Sequence, residues 1–330
     1  MTARVLVTDH PGETVEIERA VLEASGAELV VAESTDVPTL VALAANVDAI
    51  ITCFAQVPAE VLEAATRCRT VARTGVGVDN IDVARATELG MVVSNVPVYC
   101  TEEVADHALM LILALSRRLI PLARNTTAGG WDRHLAPTPV RLRGKVLGLV
   151  GLGAIGRALV PRAQALGMEV VALQRSGAPP AGVRVARSLS EVLEAADVVS
   201  VHLPLTEQTH RLIGAAELAA MKPTAVLINT ARGGLVDTDA LTGALAAGQI
   251  AGAGLDVTDP EPLAPDHPLR RFDNVILTPH SAFASDGAMA ELSHKTATNV
   301  VDVLHGRVPA TVVNPEVLHR PDLRLQEVLR

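Results

Sequence analysis

The sequence predicts an α/β protein of two doubly wound parallel-sheet domains, and three observations carry that expectation. Short apolar runs alternate strictly with helical patterns over the first hundred residues. A second alternation of the same kind begins at Gly144. The chain has 330 residues of which 49% are apolar, enough for two domains that each bury a core.

In the first block, Arg4–Thr8, Glu28–Ala32, Asp48–Thr52, Thr70–Arg73 and Met91–Ser94 read as buried strands. Thr14–Ala24, Thr39–Ala45, Ala59–Thr66 and Val83–Leu89 read as the helices between them, with Pro58 near a helix start and Gly90 near a helix end. Thr101–Leu119 is expected as one long helix. Thr101 is its N-cap in this reading, Glu102 and Glu103 suit the first-turn dipole, and Arg117, Arg118 and Pro121 form the stop. Asn125–Arg143 has turn chemistry and little periodicity, so it reads as a linker or surface loop. In the second block, strands are expected at Val146–Val150, Glu169–Leu173, Val198–His202, Ala225–Asn229, Gly252–Val257 and Val275–Thr278. Helices such as Ile155–Leu166, Leu189–Ala195 and Asp239–Ala247 fall between them, and Ala288–Gly306 forms a helical tail. The two blocks share an architecture but no detectable repeat.

Composition excludes several classes of function. Aromatic residues make up only 2%, too few for the stacking platforms of a single-stranded nucleic-acid binder. The net charge is −9 without a basic tract, which argues against a phosphate-backbone partner. Cys53, Cys68 and Cys100 are odd in number and widely spaced, so they read as reduced, buried thiols in a cytoplasmic protein, with no metal site. The start, MTARVLVTDH, lacks the charged and apolar regions of a signal peptide. The longest apolar run, Ala108–Leu115, is too short for a bilayer core of ~30 Å, so no membrane association is expected.

Gly151-Leu152-Gly153-Ala154-Ile155-Gly156 follows an expected strand and opens an expected helix. Gly151 allows the tight turn, Gly153 lets backbone approach a pyrophosphate, and Gly156 lets helix pack on strand. The helix N-terminus then offers free N–H groups to the phosphates. This is a dinucleotide site. The next strand ends in Gln174-Arg175-Ser176, where an NAD enzyme would carry a carboxylate for the ribose hydroxyls. Arg175 and Ser176 suit a 2′-phosphate instead, so NADP is favoured over NAD.

Three further residues arrive past the carboxyl ends of separate strands: Arg232 in NTARGGLVD, Glu261 in LDVTDPEPL and His280 in TPHS. In an open α/β sheet these ends face the ligand. Each alone has an ordinary explanation, as a salt bridge, a solvated turn residue or a strand cap. Together they offer a fork for a carboxylate and a paired acid–base.

With these motifs on the page, the chain resembles the D-isomer-specific 2-hydroxyacid dehydrogenase family. The likeness spans Val71 to Asn314 and rests on TGVGVDNID, VADHALMLILAL, GLGAIG, HLPLTEQTH, INTARGGLVD, LDVTDPEPL and TPHSA. YCTEEVADH and HSAFAS resemble the branch of the C-terminal binding proteins and phosphoglycerate-dehydrogenase-like enzymes. The resemblance implies a flavodoxin-like substrate domain from residues 1–99 and 284–330. It implies an inserted Rossmann cofactor domain, residues 100–283, with a cleft between the two. A homodimer through the cofactor domain is implied, with the Thr101–Leu119 helix contributing.

The roles it implies follow residue by residue. Arg232 would hold the substrate carboxylate and polarise its carbonyl, His280 would donate the proton, and Glu261 would pair with His280. The N–H groups of Val76 and Gly77 would bind the same carboxylate. Asp256 would hold the nicotinamide carboxamide, while Thr101, His202, Pro204, Thr230 and Ala231 would line the cofactor. The implied reaction is hydride transfer between a nicotinamide and a small 2-keto or 2-hydroxy acid.

The chain departs from the family pattern in carrying Gln174 where many members have an acid, and Phe283 where one branch often has Trp. Glu261 stands where formate dehydrogenases of the family carry Gln. A phosphite-type dehydrogenase and a dinucleotide-sensing corepressor are the alternatives.

Overall fold

A computed structural model of the protein describes residues 2–12, 14–135 and 137–325. The chain divides into two compact units, Met1–Tyr99 with Ser285–Arg330, and Cys100–Ala284.

The first unit follows the expected alternation: β1 (Arg4–Val7), α1 (Glu16–Ala24), β2 (Glu28–Val31), α2 (Val37–Ala44), β3 (Ala49–Thr52), α3 (Ala59–Ala64), β4 (Thr70–Arg73), α4 (Val83–Glu88) and β5 (Val92–Ser94). All neighbours pair in parallel, in the order β2-β1-β3-β4-β5. That is the flavodoxin-like order, with its topological switch between β1 and β3. Successive side chains of a strand point to opposite faces. Leu6, Ile50 and Val71 therefore join one apolar cluster with Leu40 of α2 and Leu62 of α3. Val5, Val7, Ile51 and Ala72 join another, closed by Leu22 of α1 and by Ala297 and Val300 from a helix that returns after the second unit. That helix spans Asp286–Leu304, with Ser285 capping it through Ala288 N at 3.0 Å. It is α11 in chain order.

The second unit opens with two helices, α5 (Thr101–Ser116) and α6 (Leu119–Thr127). One long helix with Pro121 as its stop was expected, and the structure corrects this. Arg118 takes a left-handed conformation at φ 56° and ends α5. Pro121 then lies in the first turn of α6, where a missing N–H costs nothing because those donors have no helical partner. Residues 125–127, read as loop, belong to α6. Thr101 is the first helical residue, and Cys100 occupies the N-cap position without a side-chain cap, so the expected Thr101 cap is also corrected.

The remaining elements are β6 (Val146–Val150), α7 (Ala154–Ala165), β7 (Glu169–Leu173), β8 (Val183–Val185), α8 (Leu189–Ala195), β9 (Val198–Val201), α9 (Ala215–Ala220), β10 (Val226–Asn229), α10 (Thr238–Ala246), β11 (Gly252–Leu255) and β12 (Val275–Leu277). They form one parallel sheet in the order β12-β11-β10-β9-β6-β7-β8, the Rossmann order extended by one strand. The unexpected strand is β8. It is a three-residue edge strand with Val185 39% exposed, so it carries no buried apolar run to announce it. On one face Leu147 and Leu149 pack against Leu111 and Ile112 of α5 and Leu159 of α7. No described helix is long and apolar enough to cross a membrane.

Asn314 ties the returning chain to the first sheet. Its Oδ1 accepts from Val93 N at 2.8 Å, and its Nδ2 donates to Thr87 Oγ1 at 2.8 Å and Met91 O at 3.0 Å. At 1% exposure no water replaces these bonds. Asn314→Ala is therefore expected to cost about 2–4 kcal/mol, from buried groups left unpaired. Urea unfolding of the variant measures this, and an unchanged midpoint for the first unit would refute it.

Candidate functional site

The nucleotide-facing edge lies at the switch between β6 and β9, where strand order reverses. Gly151 follows β6 with φ 105°. A Cβ there would stand 2.4 Å from the carbonyl oxygen of His202, which follows β9. Gly156 meets the same crowding, with a Cβ position 2.6 Å from Gly151 O. Gly153 differs: nothing lies within 4 Å of its Cβ position, although φ is an ordinary −77°. The first and third glycines thus serve the fold, and the second keeps space open in front of the α7 N-terminus. Ala154 and Ile155 begin that helix, and no side chain caps it.

Three buried polar atoms without a hydrogen-bond partner lie around this edge: Gln174 Oε1 after β7, His202 Nδ1 after β9, and Thr230 Oγ1 after β10. Buried polar groups are normally satisfied. Orphans at three strand ends on the two sides of β6, beside an open helix N-terminus, fit a polar, phosphate-bearing ligand. The other ring nitrogen of His202 is 2.9 Å from Ser200 Oγ. Burial pushes the His202 imidazole down to about 4, so it is neutral at physiological pH.

Beyond β7, Gln174 Nε2 donates to Gly177 O at 2.8 Å, while Arg175 and Ser176 are exposed. The loop is tied to α7 by Arg157, whose guanidinium donates to Ala178 O at 2.9 Å. The sequence reading assigned Arg157 no part. No carboxylate stands at Gln174-Arg175-Ser176.

The second rim is built from the ends of β10, β11 and β12. Asn229, 1% exposed, closes β10 and holds both sides of the following loop. Its Oδ1 accepts from Ala231 N at 3.0 Å, and its Nδ2 donates to Arg232 O at 2.8 Å. Arg232 leads into a 3-10 turn, and its guanidinium donates to Ala231 O at 2.8 Å. Gly233 then lies so close to the next loop that a Cβ would stand 2.0 Å from Thr258 O. This seats the Arg232 loop against the one that carries Glu261.

His280 completes the group. Its Nδ1 is 2.6 Å from Glu261 Oε1. A carboxylate only accepts, so the hydrogen of this contact is on Nδ1. His280 sits at φ 51°, in the left-handed region, with its own N–H donated to Asp256 O at 2.8 Å. The Phe283 ring stands edge-on to it, centroids 6.0 Å apart. Asp256 is 1% exposed, and its carboxylate is committed to this turn. Oδ1 accepts from Thr278 Oγ1 at 2.5 Å and Ser281 N at 2.9 Å, and Oδ2 from Ala282 N at 2.9 Å.

The structure therefore brings Glu261 and His280 into contact and the Arg232 loop against the Glu261 loop. Thr101 starts α5, and Pro204 accepts from Thr209 Oγ1 through its carbonyl at 2.7 Å. Val76 and Gly77 belong to the first unit, in the loop after β4, with Val76 41% exposed. The three cysteines are buried and form no disulfide, and burial pushes the Cys53 and Cys68 thiols up to about 12. Cys53 and Cys68 are therefore not nucleophiles at neutral pH. Asn229 and Thr278 were missed as site residues. The signal available was a polar residue ending or following an apolar strand.

Gly151→Ala and Gly153→Ala should separate fold from binding. Gly151→Ala is expected to lower Tm and lose dinucleotide binding together, because its Cβ meets backbone. Gly153→Ala is expected to keep Tm and weaken binding by about tenfold or more, because its Cβ enters only the ligand's space. Calorimetry with titration of reduced dinucleotide checks both, and equal binding by wild type and Gly153→Ala would refute the assignment.

Comparison with known proteins accords with this geometry. Residues 109–282 match the model of the D-isomer specific 2-hydroxyacid dehydrogenase NAD binding domain. The chain is 41% identical over 290 residues to the glyoxylate reductase of Aeropyrum pernix, covering 85% of this chain and 87% of that protein. It is 40% identical over 283 residues to the glyoxylate reductase of Pyrococcus furiosus, covering 83% and 84%. Among solved structures, the NADPH-dependent glyoxylate/hydroxypyruvate reductase of Sinorhizobium meliloti, in complex with NADP and malonate, aligns with a TM-score of 0.86 at 34% identity over 98% of each chain. These matches, the two parallel sheets and the open fingerprint make the chain an NAD(P)-dependent enzyme of the D-isomer specific 2-hydroxyacid dehydrogenase family.

Proposed function

We propose that the protein reduces a small, short-chain 2-keto acid such as glyoxylate or hydroxypyruvate to its 2-hydroxy acid, the D-isomer where the product has a stereocentre, and that it prefers NADPH. The observation that carries this reading is the 2.6 Å contact of His280 Nδ1 with Glu261 Oε1 on the rim of a dinucleotide edge. The names of the relatives, glyoxylate reductases and a glyoxylate/hydroxypyruvate reductase, support the substrate class.

A reduced nicotinamide held at the Gly151–Gly156 loop would supply the hydride. Arg232 binds the substrate carboxylate through its fork and stabilises the charge growing on the keto oxygen. His280 gives its Nε2 proton to that oxygen as the hydride reaches the carbon, so a ketone becomes a hydroxyl and the imidazole is left neutral. Glu261 holds the ring by Nδ1 and compensates its charge before the transfer. Arg175 and Ser176 favour NADPH, one offering a cation and the other a hydroxyl to a 2′-phosphate.

The test is an absorbance assay crossing NADH and NADPH with glyoxylate, hydroxypyruvate, pyruvate and bulkier keto acids. Turnover is expected with the short acids and with NADPH favoured. His280→Ala is expected to lower kcat by about 10²–10⁴ while leaving dinucleotide affinity within about threefold. Arg232→Ala is expected to raise the keto-acid KM by about tenfold or more. Near-wild-type turnover by His280→Ala would falsify the role of the imidazole.

A homodimer through the Cys100–Ala284 unit is part of the same proposal. Trp131, Leu119 and Leu135 are 91%, 53% and 51% exposed on this unit, an unusual display of apolar side chains for a free surface. Sedimentation at micromolar concentration should give twice the chain mass. A single species at the chain mass would count against it.

A further inference from the structure

We propose that His107, on α5, is a positioning residue for His280, acting through Thr278 and Asp256. The proposal rests on His280 being the proton donor. His107 Nε2 is 3.0 Å from Thr278 Oγ1, and Thr278 Oγ1 is 2.5 Å from Asp256 Oδ1. Thr278 has one hydroxyl hydrogen, and the carboxylate of Asp256 offers only acceptors. That hydrogen therefore goes to Asp256, and His107 must carry a hydrogen on Nε2 and donate it to Thr278. Its Nε2 is also 3.6 Å from Asp256 Oδ1, so the same hydrogen faces the carboxylate.

From Asp256 the chain of bonds continues to the N–H groups of Ser281 and Ala282, which directly follow His280. The backbone carbonyl of Asp256 holds the N–H of His280 itself. These bonds keep His280 at φ 51°, a conformation that non-glycine residues visit rarely. The same N–H also faces Thr278 O at 3.1 Å, and Pro279, just before it, has no N–H to give. The donor on α5 thus selects the Thr278 rotamer, the rotamer fixes the carboxylate, and the carboxylate fixes the turn that aims the imidazole at Glu261. His107 is 14% exposed, in a helix otherwise anchored by Leu111, Ile112 and Leu115, so its imidazole is not needed to bury the helix.

The experiment compares His107→Leu, His107→Gln and Thr278→Val in the full chain. His107→Leu is expected to lower kcat by about tenfold or more, since small misplacement of a catalytic group has large effects, with keto-acid and dinucleotide KM within about threefold. His107→Gln keeps an N–H donor at the Nε2 position and is expected to restore kcat to within about threefold of wild type. Thr278→Val is expected to match His107→Leu, and the double variant to be no worse than either, because both break one chain of bonds. A second readout is independent of turnover: nitrogen-15 NMR of His107 should show hydrogen on Nε2. Wild-type kcat in His107→Leu, no rescue by Gln, or an Nδ1–H tautomer would each overturn the proposal. If His280→Ala is inactive while His107→Leu is unimpaired, this inference fails and the proposed reaction survives. If His280→Ala turns over normally, the proposed reaction fails first.

Discussion

The ligand-facing edge of the second unit depends on the missing Cβ at Gly151. The carbonyl of His202 comes within 2.4 Å of where that atom would be, across the two strands between which the sheet reverses its winding. Strands β6 and β9 can pair in parallel and still release their loops in opposite directions only if backbone meets backbone there. Once they do, the α7 N-terminus opens over the gap and the ends of β7 and β10 line it. Neutral His202 contributes an orphaned nitrogen to that gap and no charge, so any attraction for phosphate comes from the helix and from Arg175.

A second device recurs at the ends of the strands. A buried or half-buried carboxylate or amide at the strand's end or just past it turns back and takes the N–H groups of a loop. Asp256 does this for Ser281 and Ala282, and Asn229 for Ala231. Asp9, past β1 in the first unit, does it for Cys53, Phe54 and Ala55 at 2.9, 2.6 and 3.1 Å. In each case the polar group is satisfied, so its burial is not a net penalty, and the loop is held without a rigid element of its own. Preorganisation of this kind lets a charged or titratable side chain wait in a useful place before any ligand arrives.

Most of the architecture was legible because parallel strands are buried on both faces. Runs such as AIIT at β3 and VVSV at β9 have all four positions buried, and such runs are hard to mistake. The failures have equally local causes. β8 is half in water, so its Val-Arg-Val says nothing of a sheet. Pro121 was taken as an ending because proline disfavours helix interiors, yet the same property suits a first turn. Arg232, Glu261 and His280 could be picked out as candidates because each follows a strand and carries obvious chemistry. What the sequence did not show is that the Asp256 carboxylate also holds the His280 turn. His107 was hidden inside a helix that reads as plain core. Which side chain bends back onto which backbone is a three-dimensional fact that strand order alone does not supply.

The returning helix α11 has a consequence for how the molecule is made. It covers the Val5, Val7 and Ile51 face of the first sheet, and Asn314 beyond it bonds to β5. Both are translated only after the whole of Cys100–Ala284, which is itself one continuous stretch. At ~5–20 residues per second, the nascent first sheet is left with one greasy face only partly covered, by α1 alone, for on the order of ten seconds or more. The unit that begins the chain is thus the last to be completed on the ribosome, and that interval is when a holding chaperone has its apolar target.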